Sequence, residues 1–325
     1  MNLQKKTSNY ERMEQLRKAK NTQRKKRTAL KIFLIILLII ILGLGALIGW
    51  AYWKTSSTFD NMYKPLESSS KTAVSLDGTI PFSILILGID ERDGDRGRSD
   101  TLIAATVNGD TNQAQMLSIP RDTRAEIVGH NTTEKINAAY AYGDVKMAQD
   151  TTTKFLNGIP FNYYIKINME GFREVVDAVG GIDVYNNTEG ISYNGREFKK
   201  GNLHLNGEKA LQYVRIRKTD PNGDFGRQKR QQESITAVSK KLLSTQTVFK
   251  LNEILESAKN NIETDFTMAD MTKIVKNYGG AVNNVESITM AGDGGKLDDG
   301  LWYYVVSEAE RIKMHTKLAK NLNIK

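Results

Sequence analysis

The chain of 325 residues is long enough for one large or two ordinary domains, and its 26 glycines, 5 prolines and 40% hydrophobic content describe a globular sequence. It has no cysteine, which excludes disulfides, thiol nucleophiles and thiolate metal sites. The formal charge of +9 resides in the first 31 residues, where eleven basic side chains face only Glu11 and Glu14, so the rest offers no general basic field for nucleic acid.

After that basic tail comes "IFLIILLIIILGLGALIGWA" (32 to 51), twenty residues without a charge. At ~1.5 Å rise per residue a helix of this length crosses the ~30 Å hydrocarbon core of a bilayer. Trp50, Tyr52 and Trp53 stand at its far end, where interfacial aromatics belong. The positive-inside bias puts the tail in the cytoplasm and everything after the span outside. A cleaved signal peptide is the competing reading; the length of the apolar run and the lack of an A-x-A site stand against it. The expectation is a single-pass protein of the cell membrane: tail 1–31, transmembrane helix 32–53, polar Ser/Thr-rich linker 54–80, and an extracellular domain 81–325.

In that last part "FSILILGI" (82 to 89), "TLIAATVN" (101 to 108) and "AQMLSIP" (114 to 120) are apolar on both faces, as in strands of a sheet covered by helices on each side. "TEKINAAYAYG" and "DVKMAQDTTTKFLNG" read as helices separated by Gly143, and "FNYYIKINM" (161 to 169) as another strand. In "MEGFREVVDAVGG", Phe172, Val175, Val176 and Val179 recur at helical spacing before a glycine stop, and the strand "GIDVYN" follows. The pattern then predicts a hairpin near 196 to 205, helices with breaks over 226 to 279, strands at "VESITMA" and "LWYYVVS", and a closing helix at 307 to 322. Strands and helices in mixed order predict an α/β fold, one sandwich domain with a mixed sheet.

Four segments concentrate chemistry. In "LGIDERDGDRGRSDT", Asp90 emerges from a buried strand and Asp100 opens the next, so two carboxylates could share a hard cation beyond a strand end, with a solvated acidic turn as the alternative. In "LSIPRDT", Arg121 and Asp122 follow a strand broken by Pro120; "KINAAYAYG" offers Lys135, Asn137 and Tyr140. The richest stretch is "YVRIRKTDPNGDFGRQKRQQ". Read as extended, its first five residues put Arg215 and Arg217 on one face; read as helical, its second half puts Arg227, Arg230 and Gln231 on another. Guanidinium groups so gathered match an anion with several oxygens, a pyrophosphate above all, against the alternative of a solvated face paired to Asp220 and Asp224. Outside a membrane the pyrophosphates at hand are polyprenyl-linked. His130, His204 and His315 lie outside these segments and are expected to be structural.

These motifs, in this order behind a short tail and a single span, closely resemble the LytR-CpsA-Psr family of Gram-positive bacteria. The resemblance implies an α/β/α domain that holds a polyprenyl chain in an apolar pocket. It implies a magnesium-dependent phosphotransferase that moves an anionic glycopolymer (teichoic acid, capsule or rhamnose-type) from its polyprenyl pyrophosphate carrier to peptidoglycan. By the same likeness Asp90 and Asp100 hold Mg2+, and Arg98, Arg121, Lys135, Arg215, Arg217 and Gln231 contact the pyrophosphate. Arg121, Arg217, Asp224 and Arg227 act at the reacting centre, with Asp122 or Asp224 as base for the acceptor hydroxyl. A pyrophosphatase acting on the same carrier and a membrane-bound regulator are the alternatives.

Overall fold

The computed structural model describes residues 62–66, 74–91, 97–243 and 251–324. The expected tail and span, 1–53, lie outside them, and among the described residues no helix is long and apolar enough to cross a membrane. The chain begins with β1 (Phe82–Ile89), β2 (Ser99–Asn108) and β3 (Gln113–Ser118), then a small hairpin of β4 (Arg124–Ile127) and β5 (Thr132–Lys135). Helix α1 (Ala138–Phe155), β6 (Tyr163–Asn168) and α2 (Met169–Ala178) follow, then β7 (Ile182–Asn186), β8 (Ile191–Tyr193), β9 (Arg196–Phe198) and β10 (Gly201–Leu205). Helices α3 (Gly207–Arg215), α4 (Gly223–Leu242) and α5 (Leu251–Ala258) lead to β11 (Ile262–Thr264) and α6 (Met268–Tyr278). The end is β12 (Val285–Thr289), the hairpin β13 (Asp293–Lys296) and β14 (Trp302–Val305), and α7 (Glu308–Asn321).

Six strands make one mixed sheet in the order β11-β6-β1-β2-β3-β12, with β6 parallel to β1, β12 parallel to β3 and the other pairs antiparallel. The alternation of β1 explains the two layers around it. Leu85, Leu87 and Ile89 are fully buried in the main core, together with Ala139, Tyr140 and Phe155 of α1 and Met314 and Leu318 of α7. Ile84, Ile86 and Gly88 point to the other face and are only half-buried. There α2, α4, α5 and α6 lie over the sheet, and α4 is fastened by Gln232, whose amide donates to the carbonyls of Met116 (2.9 Å) and Ile288 (3.2 Å).

The linker expected at 54–80 is in part built into this unit. Met62 and Leu76 are 1% exposed, Lys64 N–H donates to the Thr264 carbonyl at 2.9 Å, and Tyr164 Oη donates to the Lys64 carbonyl at 2.6 Å. Composition hides this, because two apolar anchors suffice to dock a polar strand. The helix expected to start at "TEK" begins instead at Ala138, since Thr132–Lys135 pairs as β5 with β4. Gly143 does interrupt α1, with Asp144 beyond it at φ 58. The hairpin expected near 196 to 205 does not pair internally: β9 pairs with β8, and β10 with β7. Finally, "YVRIR" is not extended. Asn206 caps α3 by accepting from Lys209 N–H, and Ala210, Tyr213 and Val214 bury at helical spacing, which carries the helix to Arg215.

Candidate functional site

A cavity of about 520 Å³ lies between the open face of the sheet and α2, α4, α5 and α6. Its walls are apolar, including Ile86, Ile165, Phe172, Val214, Ile235 and Leu242. One end is polar, with Asp90, Asp100, Arg215, Arg227 and Gln231. That end lies beyond the carboxyl ends of the parallel strands β1 and β6, the usual ligand edge of an α/β sheet.

Asp90 leaves the end of β1, and its N–H donates to the Arg98 carbonyl at 3.3 Å, closing the intervening loop. Asp100 reaches the same mouth through an irregularity of register. Gly88 faces Thr101 and Ile89 faces Ser99, so Asp100 is the extra residue of a β-bulge. In unbroken alternation Asp100 would share the core-facing side of Leu102; the bulge turns it to the cavity beside Thr101.

Arg121 follows β3 in a turn where Thr123 N–H donates to the Pro120 carbonyl at 2.9 Å. Its guanidinium donates to Asp100 Oδ2 at 2.8 Å and lies 3.6 Å from Asp122 Oδ2. Burial works against its charge, but Asp100, then Asp122 and Asp224, outweigh it and raise its pKa. Lys135 Nζ donates to Asp122 Oδ1 at 2.7 Å. Both oxygens of Asp122 are therefore held by cations, one on each side of the turn.

Asp224, in the first turn of α4, lies 2.7 Å from Arg227 Nη2 and 3.6 Å from Arg217 Nε, and Gln228 donates to its Oδ2 at 3.0 Å. The Arg227 side chain is only 12% exposed. Its pKa is lowered, by burial first, with Arg121 and Arg217 adding like-charge repulsion that Asp224 and Asp100 only partly offset. Buried Arg227 Nε has no hydrogen-bond acceptor among the described residues. A desolvated guanidinium with a spare donor, crowded by two others, is a site that gains when a multivalent anion enters.

Arg230 does not join them. On an ideal helix it sits about 60° to one side of Arg227 while Gln231 sits about 40° to the other, so only Gln231 follows Arg227 to the cavity. Arg230 is 4% exposed and pairs with Asp220, and its Nε donates to the Tyr213 carbonyl at 3.0 Å. Gly226 completes this joint, because a Cβ there would lie 1.9 Å from Asp220 Oδ2. The pair fastens the turn between α3 and α4, which follows Arg215 and carries Arg217.

Of the residues singled out in the sequence, Asp90, Asp100, Arg215, Arg227 and Gln231 meet at the mouth. Arg121 and Asp224 line an adjoining cleft with Asp100, Arg227 and Gln231. Arg217 is half exposed beside Asp224, and Asp122 and Lys135 form the neighbouring ion pair. Arg98 is exposed, and its charge acts on Tyr142. The histidines stand elsewhere: His130 stacks on Tyr142, His204 contacts Asp183, and His315 contacts the Leu156 carbonyl. Sequence reasoning missed Glu91, which accepts from Tyr140 Oη at 2.8 Å, lies 3.6 Å from Lys166 Nζ and ties down the residue after Asp90. It also missed the cavity wall, whose residues read as ordinary core.

An α/β domain with an apolar bore ending in an arginine and carboxylate mouth has the shape and charge to take an amphiphile with an anionic head. The chain belongs to the LytR_cpsA_psr family, whose model matches residues 50–320. It is 44% identical over 290 residues to the polyisoprenyl-teichoic acid–peptidoglycan teichoic acid transferase TagU of Bacillus mycoides, covering 88% of this chain and 95% of that relative. The crystal structure of B. subtilis TagU superposes with a TM-score of 0.62 at 38% identity, covering 76% of this chain and 99% of that one. A structure of TagT bound to LI-WTA superposes with a TM-score of 0.66 at 28% identity, covering 81% and 99%.

Proposed function

We propose that this protein is a phosphotransferase that moves a teichoic-acid-type polymer from a polyprenyl diphosphate carrier to peptidoglycan; the TagU relatives are named polyisoprenyl-teichoic acid–peptidoglycan teichoic acid transferases. The observation that carries this reading is the continuity of the apolar cavity with the cluster of Arg215, Arg227 and Gln231 at its mouth. A prenyl chain would fill the bore and leave its diphosphate among the guanidinium groups.

In the reaction, a muramic-acid hydroxyl of the acceptor attacks the glycopolymer-side phosphorus. The new P–O bond makes a phosphodiester, the bond to the lipid-side phosphate breaks, and polyprenyl phosphate leaves with the electron pair. Arg121, Arg217 and Arg227 hold the diphosphate oxygens and stabilise the charge redistributed between the two phosphates as the bond breaks, the kind of positioning and electrostatic work phosphoryl-type transfer needs. The hydroxyl proton goes to a carboxylate. Both carboxylates are paired to cations, but Asp224 lines the cleft next to the mouth and Asp122 does not, so Asp224 is the better placed of the two.

Asp90 and Asp100 both line the mouth, and magnesium is ordinarily held by one or two carboxylates plus substrate phosphates, so these two carboxylates are the residues that would hold it. Bound there, it would neutralise charge on the diphosphate. The apolar segment 32–51 behind a basic tail supports an anchor in the cell membrane with this domain outside, where such carriers present their head groups.

The test is to incubate the full-length protein with lipid-linked polymer and peptidoglycan, with and without EDTA. Polymer coupled to glycan, abolished by EDTA and restored by magnesium, is the expected result. Release of free phosphorylated polymer without coupling would make the protein a pyrophosphatase instead.

A further inference from the structure

Beside Asp224 begins a row of aromatic side chains that the reaction above does not use. Phe225 is 43% exposed, and its ring meets that of Tyr304 with centroids 5.9 Å apart at 70°. Tyr304 is buried on β14, and its N–H donates to the Asp122 carbonyl at 2.9 Å, which ties this hairpin to the Arg121–Asp122 turn. Two residues earlier, on the same side of the strand, Trp302 is 43% exposed.

The glycine-rich segment before and along β13 is what lets both rings settle. A Cβ on Gly292 would lie 2.9 Å from Tyr304 Cε1, and one on Gly294 would lie 2.4 Å from Trp302 Cζ2. The indole is thus backed by main chain and open to solvent. Two exposed aromatic rings therefore flank buried Tyr304: Phe225 against its ring, and Trp302 two residues before it on the same side of β14. Rigid rings of this kind bind flat amphipathic partners, and a pyranose, with an apolar C–H face and a rim of hydroxyls, is one.

The direction of attack decides which sugar. With the lipid tail in the cavity, the lipid phosphate departs towards α2 and the open face of the sheet. In-line displacement brings the nucleophile from the opposite side of the phosphorus. That side is bounded by the Arg121–Asp122 turn and the first turn of α4, the two segments that Tyr304 and Phe225 touch. We infer that Phe225 and Trp302 form the acceptor subsite, stacking pyranose rings of the peptidoglycan strand so that its hydroxyl faces the diphosphate. This rests on the transfer reaction proposed above.

The experiment uses the full-length protein in detergent micelles and, as probe, a tetrasaccharide of alternating N-acetylglucosamine and N-acetylmuramic acid. The chain has three tryptophans, Trp50, Trp53 and Trp302, so a saturable tetrasaccharide-dependent change in tryptophan fluorescence is expected in the wild type and lost in Trp302→Ala. In the transfer assay Trp302→Ala raises the KM for acceptor roughly tenfold, the effect of truncating one aromatic anchor, while affinity for prenyl diphosphate stays as in the wild type. Trp302→Tyr, which keeps a stacking ring, restores most of the loss and shows that the hairpin still folds. No fluorescence response in the wild type, an unchanged acceptor KM in Trp302→Ala, or a loss confined to donor binding would each overturn the inference. A clear fluorescence response in a wild type that couples nothing would support the subsite and sink the transfer reaction.

Discussion

Arg230 tests whether the site has been divided correctly between residues that meet substrate and residues that hold the frame. Its side chain is 5% exposed and that of Asp220 is fully buried, so replacing Arg230 by Met leaves a carboxylate in the interior without its counter-ion. Breaking such a pair costs about 3–5 kcal/mol. For a domain of this size each kcal/mol lowers Tm by roughly 2–4 °C, which gives a fall of about 6–20 °C. The double variant Arg230→Met with Asp220→Asn removes the orphaned charge and still leaves Asn222 N–H, now 2.7 Å from Asp220 Oδ1, an acceptor. It should recover more than half of the lost Tm and most of the transfer activity. Thermal melts of the wild type, both single variants and the double variant give the coupling energy directly. An Arg230→Met protein that melts like the wild type but transfers nothing would refute the reasoning, because Arg230 would then be acting on substrate.

The remaining predictions concern the mouth, the bore and the acid limb of stability. Arg227→Ala should lower kcat by about 10²–10³, as loss of one aligned donor to a developing negative charge does, with Tm nearly unchanged; steady-state transfer kinetics and a melt check it. Ile235→Trp should fill part of the cavity, weakening binding of long-chain prenyl diphosphates far more than of a short-chain one, as read by calorimetric titration. Asp100→Asn should abolish any stabilisation by magnesium plus diphosphate in a melt, and it also loosens Arg121, so the effect exceeds that of Asp90→Asn. Glu263 is partly buried, which opposes its charge, but Lys64 and Lys166 prevail and hold its carboxyl below the usual range. Its contribution to stability is therefore present above about pH 4.5 and is lost as pH falls through the lower folded value; Lys166→Met should move the onset of acid unfolding to higher pH.

How much of this site could be read from the sequence depended on which physical cue placed each residue. Asp90 was legible because a charge directly after a doubly apolar strand has to sit at a sheet edge. Arg227 and Gln231 were legible because helical spacing puts them on one face; the same spacing wrongly recruited Arg230, since a 60° offset is enough to aim a side chain into the turn instead. Arg215 was placed at the mouth for the wrong reason, the alternation of "YVRIR" being outweighed by the burial of Ala210, Tyr213 and Val214. Asp100 could be named but not aimed, because the bulge that turns it outward is a property of pairing between β1 and β2 and leaves no local mark.

The bore itself was the least legible part, and the reason bears on how the site works. Apolar periodicity reports that a side chain leaves water, not whether protein or a ligand covers it. Ile86 on β1 and Ile165 on β6 therefore read as core, and the fold alone shows that their face borders a cavity while Leu85, Leu87 and Tyr164 on the reverse face are sealed. A sheet with one closed face and one open face gives the protein a rigid wall against which a chain of isoprene units could lie without a polar partner. The charged residues then need only collect at one end, where β1 and β6 both terminate and the bulge in β2 adds Asp100. The division of labour is set by strand alternation: Leu85, Leu87 and Ile89 close one side of β1 into the main core, while on the other side Ile86 and Gly88 border the cavity beside a smaller core of Ile103, Ala105 and Met116.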